Sequence, residues 1–144
     1  MTEFKFELIH TSKKSRARVG RIHTPHGIID TPNFVPVGTN ATMKAIDSKI
    51  LDDLGIQLIF CNTYHLMLQP GSGVIQQAGG LHTFMNRPTP VITDSGGFQV
   101  FSLIYGGVNN ELKSKGTKKH DSGVLKISEE GVLFRSYRDG AKVR

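Results

Sequence analysis

At 144 residues and 38% hydrophobic content the chain is long enough for a folded core, and its single cysteine, Cys61, excludes an intrachain disulfide and a thiolate-rich metal site built from these residues. The formal charge of +6, with an isoelectric point near 9.6, suits an anionic partner such as nucleic acid without proving one. The opening Met1-Thr2-Glu3-Phe4-Lys5-Phe6-Glu7 lacks the apolar centre of a signal peptide, and no apolar run approaches the roughly 18 to 20 residues of a membrane span, so the expectation is a soluble cytoplasmic protein with no membrane partner.

In chain order, Phe4, Phe6 and Leu8 alternate with Lys5 and Glu7, the period of a strand with one apolar face. Residues 12–18 are a polar, basic connection. Residues 18–22 and 28–30 flank Thr24-Pro25-His26-Gly27, a turn composition, which predicts a hairpin. Residues 34–37 are a short apolar run followed by Gly38 and Thr39, as expected of a buried strand. Ile46, Ile50, Leu51 and Leu54 then fall at helical spacing, with Asp47 or Ser48 placed to cap the start and Gly55 the end. Residues 56–61 read as a second buried strand leading into Asn62 and His65. A Gly/Pro-rich connection and a short helix near residues 74–78 precede a third strand at residues 91–93.

This βαβαβ order favours parallel strands joined by crossovers and places Gly38, Asn62 and Asp94 at equivalent strand ends. Spacing alone does not separate a closed barrel from an open doubly wound sheet. Residues 106–123 are the most loop-like stretch, and between residues 111 and 126 five lysines (Lys113, Lys115, Lys118, Lys119 and Lys126) face two acidic residues, Glu111 and Asp121, which concentrates half of the net charge. Such a run is either a solvated loop or a phosphate-contacting one.

The most informative stretch is Val91-Ile92-Thr93-Asp94-Ser95-Gly96-Gly97-Phe98-Gln99-Val100, where an apolar run ends in a carboxylate, a hydroxyl, two glycines and an aromatic ring. Paired glycines let a backbone approach a ligand closely, and Phe98 offers a wall on which a flat ligand can stack. The plainer reading has Asp94 or Ser95 capping the next helical turn, with Gly96 and Gly97 shaping a loop. Asn62 and His65 likewise read either as site residues or as hydrogen-bonded loop caps, and Phe98 as stacking surface or core.

Taken together, Thr31-Pro32-Asn33-Phe34-Val35-Pro36-Val37-Gly38-Thr39, Asn62-Thr63-Tyr64-His65-Leu66 with Gln69-Pro70-Gly71, Gly79-Gly80-Leu81-His82-Thr83-Phe84-Met85 and the Asp94 motif resemble successive signatures of the bacterial-type tRNA-guanine transglycosylases, in that family's order. Gly131-Val132-Leu133-Phe134-Arg135-Ser136 and Asp139-Gly140 resemble the segment that follows. The resemblance implies an α/β fold, the N-terminal portion of a (β/α)₈ TIM barrel preceded by a small antiparallel β hairpin or sheet. A complete barrel needs roughly 250 residues, so the expectation is an incomplete barrel belonging to a longer enzyme. On this reading residues 1–32 are the N-terminal antiparallel strands and residues 33–144 the first part of the barrel, with a basic insertion at about residues 104–126.

The activity implied is base exchange in tRNA, guanine at the wobble position giving way to a 7-deazaguanine queuosine precursor, preQ1 or queuine, through a covalent ribosyl-enzyme intermediate. By resemblance Asp94 is the general acid/base; Asp94, Ser95, Gly96, Gly97, Phe98 and Gln99 bind the base; and Asn62 and His65 lie near the ribose. The nucleophilic aspartate is expected beyond residue 144. Asp30, Asp121 and Asp139 follow no recognisable barrel strand and read as turn or surface residues. Ser95 lacks the GxSxG context of a nucleophile, and Gly71-Ser72-Gly73 lacks the remainder of a phosphate-binding loop.

The six histidines show no ligand spacing. The family's structural zinc is expected C-terminal to these residues, with none bound by residues 1–144. Partners implied are the tRNA, the deazaguanine base and a second copy in a homodimer. The competing reading is a non-catalytic tRNA-binding subunit or truncated paralogue, against which the intact Asp94-Ser95-Gly96-Gly97-Phe98 argues. An archaeal-type deazaguanine enzyme is disfavoured by the form of the Thr31–Thr39 and Asn62–Leu66 motifs.

Overall fold

The computed structural model describes residues 3–104 and 123–144. Lys113, Lys115, Lys118 and Lys119, and with them most of the expected insertion, lie outside the described residues. The chain divides into two compact units, Met1–Asp94 and Ser95–Arg144.

The first unit opens with an antiparallel sheet of β1 (Lys5–Thr11), β2 (Arg18–Thr24) and β3 (Gly27–Thr31), in that order. Its register sets Phe6, Ile22 and Ile29 abreast on one face and Glu7, Arg21 and Asp30 abreast on the other, as the alternation in the sequence requires. Gly20 is fixed by close approach: a Cβ there would stand 2.5 Å from the Phe6 ring and 2.8 Å from the Glu7 carbonyl oxygen. On the polar face Arg21 pairs with Asp30 at 3.0 Å and His23 with Glu7 at 2.9 Å. Gln57 fastens the third strand, accepting the Asp30 N–H at 2.9 Å and donating to the Asp30 carboxylate at 3.1 Å. The Gln57 bond, followed by Arg21, holds the Asp30 carboxyl below the usual carboxylate range.

Beyond this sheet the chain builds parallel pairing. β4 (Ile59–Cys61) pairs with β5 (Val91–Thr93), and Val37 bridges Phe60 in parallel on the other side of β4. Three successive segments therefore lie side by side in sequence order. The strand expected at residues 34–37 is reduced to that bridge, with Phe60 donating to the Pro36 carbonyl at 3.0 Å and Gly38 donating to the Phe60 carbonyl at 2.8 Å. Pro32 and Pro36 have no N–H to give a ladder, and Phe34 is exposed. The expected strand at 56–61 shortens to its last three residues because the Ile56 backbone is engaged elsewhere: its N–H donates to Leu51 at 3.0 Å and its carbonyl accepts from the Arg87 guanidinium.

The helices are short. α1 (Ser48–Asp53) starts where the sequence places it, the Asp47 side chain accepting the Lys49 N–H at 2.8 Å, and stops at Leu54 with Gly55 in the left-handed region. α2 (Thr63–Leu68) follows β4 directly; α3 (Ser72–Gln77) covers the helix expected at 74–78, and α4 (Leu81–Phe84) is an additional turn of helix. Leu51, Ile59, Cys61, Leu66, Met85 and Ala41 form the buried cluster, with Ile56, Ile75, Leu81 and Val91 packed against it. Ile59 and Cys61 bring β4 into this core, and Val91 brings β5 against it. Burial also pushes the Cys61 thiol above its ordinary range, in keeping with a packing role.

In the second unit α5 (Gly97–Ile104) precedes an antiparallel sheet of β6 (Val124–Ser128), β7 (Gly131–Arg135) and β8 (Lys142–Val143). Phe134 of β7 and Ser136 just after it are buried, and Gly131, with φ at +134°, closes the β6–β7 turn. Among the described residues no helix is long and apolar enough to cross a membrane.

Candidate functional site

Parallel pairing of Cys61 with Thr93 brings the next residue of each strand, Asn62 and Asp94, to the same sheet end. Side chains at the C-terminal ends of parallel strands face the region where α/β proteins hold ligands, because the ladder ends there and the chain turns away. Asp94 is half-buried and tied to the neighbouring strand end by three hydrogen bonds. The Thr63 N–H donates to Oδ1 at 2.7 Å, the Asn62 amide donates to Oδ2 at 3.4 Å, and the Thr63 hydroxyl donates to the Asp94 main-chain carbonyl.

The geometry reassigns a cap. Asn62 occupies the N-cap position of α2 yet makes no side-chain capping bond; the carboxylate that receives an N–H of the first turn comes from Asp94, 31 residues further along. The first-turn N–H and the Asn62 amide together orient the carboxyl group. Thr63, which the reading of the sequence passed over, contacts the carboxylate at 2.7 Å. The signal for it was available: two apolar runs ending in Asn62-Thr63 and Asp94-Ser95 become neighbours once the strands are paired in parallel register. His65 lies on α2 within the same segment, half-buried, its ring edge-on to Tyr64 at 5.2 Å.

Thr63 also lines an apolar groove of about 300 Å³ formed with Leu66, Met67, Ser72, Ile75, Gln76 and Leu81. Asp94 is outside that lining. The groove is lined from α2, α3 and α4.

Ser95 to Gln99 fall in the second unit. There the Ser95 hydroxyl accepts the Gly97 N–H at 3.4 Å, and the Gly96 carbonyl accepts the Val100 N–H at 3.3 Å, so this stretch starts α5 much as the plainer reading expects. Gly96 has φ at +75° and is buried; Phe98 is 67% exposed, which removes ordinary core packing as its explanation within this unit. Asp30 and Asp139 are exposed and bonded to Gln57 with Arg21 and to Ser136 with Ala141, so both serve local structure. Among the described residues no group of three or more His, Cys, Asp or Glu side chains is placed to hold a metal ion.

Comparison with known proteins gives the arrangement its context. A family model described as queuine tRNA-ribosyltransferase matches residues 12–144. A queuine tRNA-ribosyltransferase of Protochlamydia amoebophila is 74% identical over 143 residues, 99% of this chain and 37% of the relative. Those of Chlamydia caviae and Chlamydia felis are 59% and 60% identical over 139 residues, 96% of this chain and 36% of each relative. The chain therefore spans a little over a third of the length of these relatives. With the Asp94 motif, the Asn62 motif and the three adjacent parallel segments all inside the matched region, the chain belongs to the queuine tRNA-ribosyltransferase family.

Proposed function

We propose that this chain supplies the acid/base half of a tRNA base-exchange site, in which guanine at the wobble position is replaced by a 7-deazaguanine queuosine precursor. Exchange at one ribose carbon with retention needs two displacements: a nucleophilic carboxylate forms a covalent ribosyl intermediate, and a second group moves protons to the leaving base and from the entering one. Asp94 is the second group. The observation that carries this assignment is its place at the end of β5, where Thr63 and Asn62 of the neighbouring strand end hold the carboxyl. The nucleophile belongs to the larger part of the protein that the relatives possess, as do the ligands of a structural zinc.

The base must leave its stack to reach Asp94, and Phe98 is the side chain suited to receive a flipped purine, with Ser95, Gly96, Gly97 and Gln99 around it. Asn62 and His65 are assigned to the vicinity of the ribose. We assign Val37, β4 and β5 to the first three strands of a (β/α)₈ barrel, residues 1–32 to an antiparallel preface, and residues 33–144 to the opening of the barrel with a basic insertion at about 104–126. The complete enzyme acts in the cytoplasm as a homodimer.

The test is Asp94→Asn in the full-length protein, which keeps shape and removes the titratable carboxylate. Incorporation of labelled guanine into cognate tRNA is expected to fall at least about a hundredfold, the order of a lost general acid/base, while the melting temperature moves little. Near-normal exchange by the variant overturns the assignment.

A further inference from the structure

Outside the Asp94 site, two histidines from distant parts of the first unit meet face to face. His26, in the β2–β3 turn, and His82, on α4, stack with ring centroids 3.6 Å apart and planes 8° from parallel. The turn holds His26 in place: Thr24 Oγ1 accepts the His26 N–H at 3.1 Å and donates to the Gly27 carbonyl at 2.8 Å. His26 Nδ1 donates to the Pro88 carbonyl at 3.2 Å, which fixes that nitrogen as the protonated one. A Cβ at the neighbouring Gly27 would lie 3.7 Å from the Pro90 ring. Pro90 in turn accepts the Ile59 N–H at 3.3 Å, immediately before β5 begins.

We propose that the His26–His82 stack is a pH-sensitive latch, closing the β2–β3 turn onto the segment that leads into β5 while the His82 ring is neutral and releasing it when that ring takes up a proton. Two neutral imidazoles stack favourably, whereas a proton added to His82 puts positive charge 3.6 Å from the face of a second basic ring. The site is built against the charged form in a second way: His82 Nε2 is buried and has no hydrogen-bond partner among the described residues, so a proton placed there finds no acceptor. Burial first, and the charge of His26 second, hold His82 below the ordinary imidazole range, partly offset by a bond to the Thr89 backbone.

Lys5 and Arg18 are the further charged groups of β1 and β2, and the remaining ones pair among themselves. From β1 and β2, Glu7 bonds His23 and Arg21 bonds Asp30; from the segment after α4, Arg87 reaches Asp52 of α1 at 2.8 Å. His26 is the charged group that acts on His82. Because the folded state holds His82 below its unfolded pKa, the unfolded or unlatched form binds more protons in the interval between the two. The latch is therefore intact above the ordinary histidine range and weakens as pH falls through about 6.5 toward the lower folded value.

Hydrogen exchange of the full-length protein, followed by mass spectrometry at several pH values and corrected for intrinsic exchange chemistry, tests this. Protection of peptides covering residues 24–28 and 87–90 is expected to fall about tenfold or more between pH 7.5 and 5.0. In His82→Phe, which keeps a stackable ring that cannot protonate, the same peptides should show less than a threefold change. His26→Phe, examined in the same way, should also flatten the response and serves if the first variant folds poorly. A pH response in both variants equal to that of the wild type, or a wild type whose protection is constant over this range, overturns the latch. Core peptides over β4 report global stability and should not follow the titration.

Discussion

A carboxylate at the end of β5 is useful only if its orientation survives the arrival of a substrate, and at the residue scale that task falls to Thr63. Its N–H and hydroxyl grip Asp94 at two points, the carboxylate and the main-chain carbonyl. Thr63→Val keeps the shape and the N–H and removes the hydroxyl bond, a loss of roughly 1 kcal/mol that is felt as misplacement of Asp94. The expected result in the full-length enzyme is a fall in kcat of roughly five- to tenfold with little change in KM for tRNA, restored largely by Thr63→Ser. Equal activity of the Val and Ser variants would remove Thr63 from the positioning of Asp94. Asn62, whose bond to Asp94 is long at 3.4 Å, should matter less to orientation than Thr63.

At the scale of elements, Arg87 shows how non-local contacts set strand limits. It is 1% exposed, its guanidinium donating to the Ile56 carbonyl and pairing at 2.8 Å with Asp52, whose side chain is 52% exposed. It joins α1, the approach to β4 and the approach to β5. Arg87→Met preserves volume but leaves the Ile56 carbonyl without its charged donor. The cost should be about 2 to 3 kcal/mol, below the value for a fully buried ion pair because water already reaches Asp52. Asp52→Asn should cost under about 1 kcal/mol, and urea midpoints of the two full-length variants measure the contrast. The same contact explains which elements were legible in the sequence. α1 carries its own punctuation in Asp47 and Gly55, and the β2–β3 hairpin carries Thr24-Pro25-His26-Gly27, so local chemistry is enough for both. The shortening of β4 depends on Arg87 and Leu51, and the capping of α2 depends on Asp94, partners many residues away that no local pattern reveals. The β6–β7–β8 sheet went unread for a related reason: its strands are marked by pairing across Glu129-Glu130 and by the return of Lys142-Val143, with little strict alternation.

On the scale of the whole molecule, residues 1–144 leave surfaces that a self-sufficient domain would cover. In the first unit Phe6 and Leu8 of β1 and Phe4 just before it are each more than half exposed, Phe34 is 71% exposed, and Ile92 of β5 is 44% exposed. Among the described residues β5 has β4 as its only ladder partner, which leaves a parallel edge with unpaired N–H and carbonyl groups. Parallel strands are ordinarily buried on both faces, and exposed apolar area of this kind favours association over a unique compact state. Residues 1–144 expressed alone should therefore lack a sharp unfolding transition, bind an apolar dye in the absence of denaturant, and show no base exchange. Far- and near-ultraviolet circular dichroism followed during heating provide the measurement. Coincident, steep transitions at both wavelengths would show that these residues form a cooperative domain by themselves, and base exchange by the same sample would overturn the proposal that a second carboxylate from elsewhere in the protein is required.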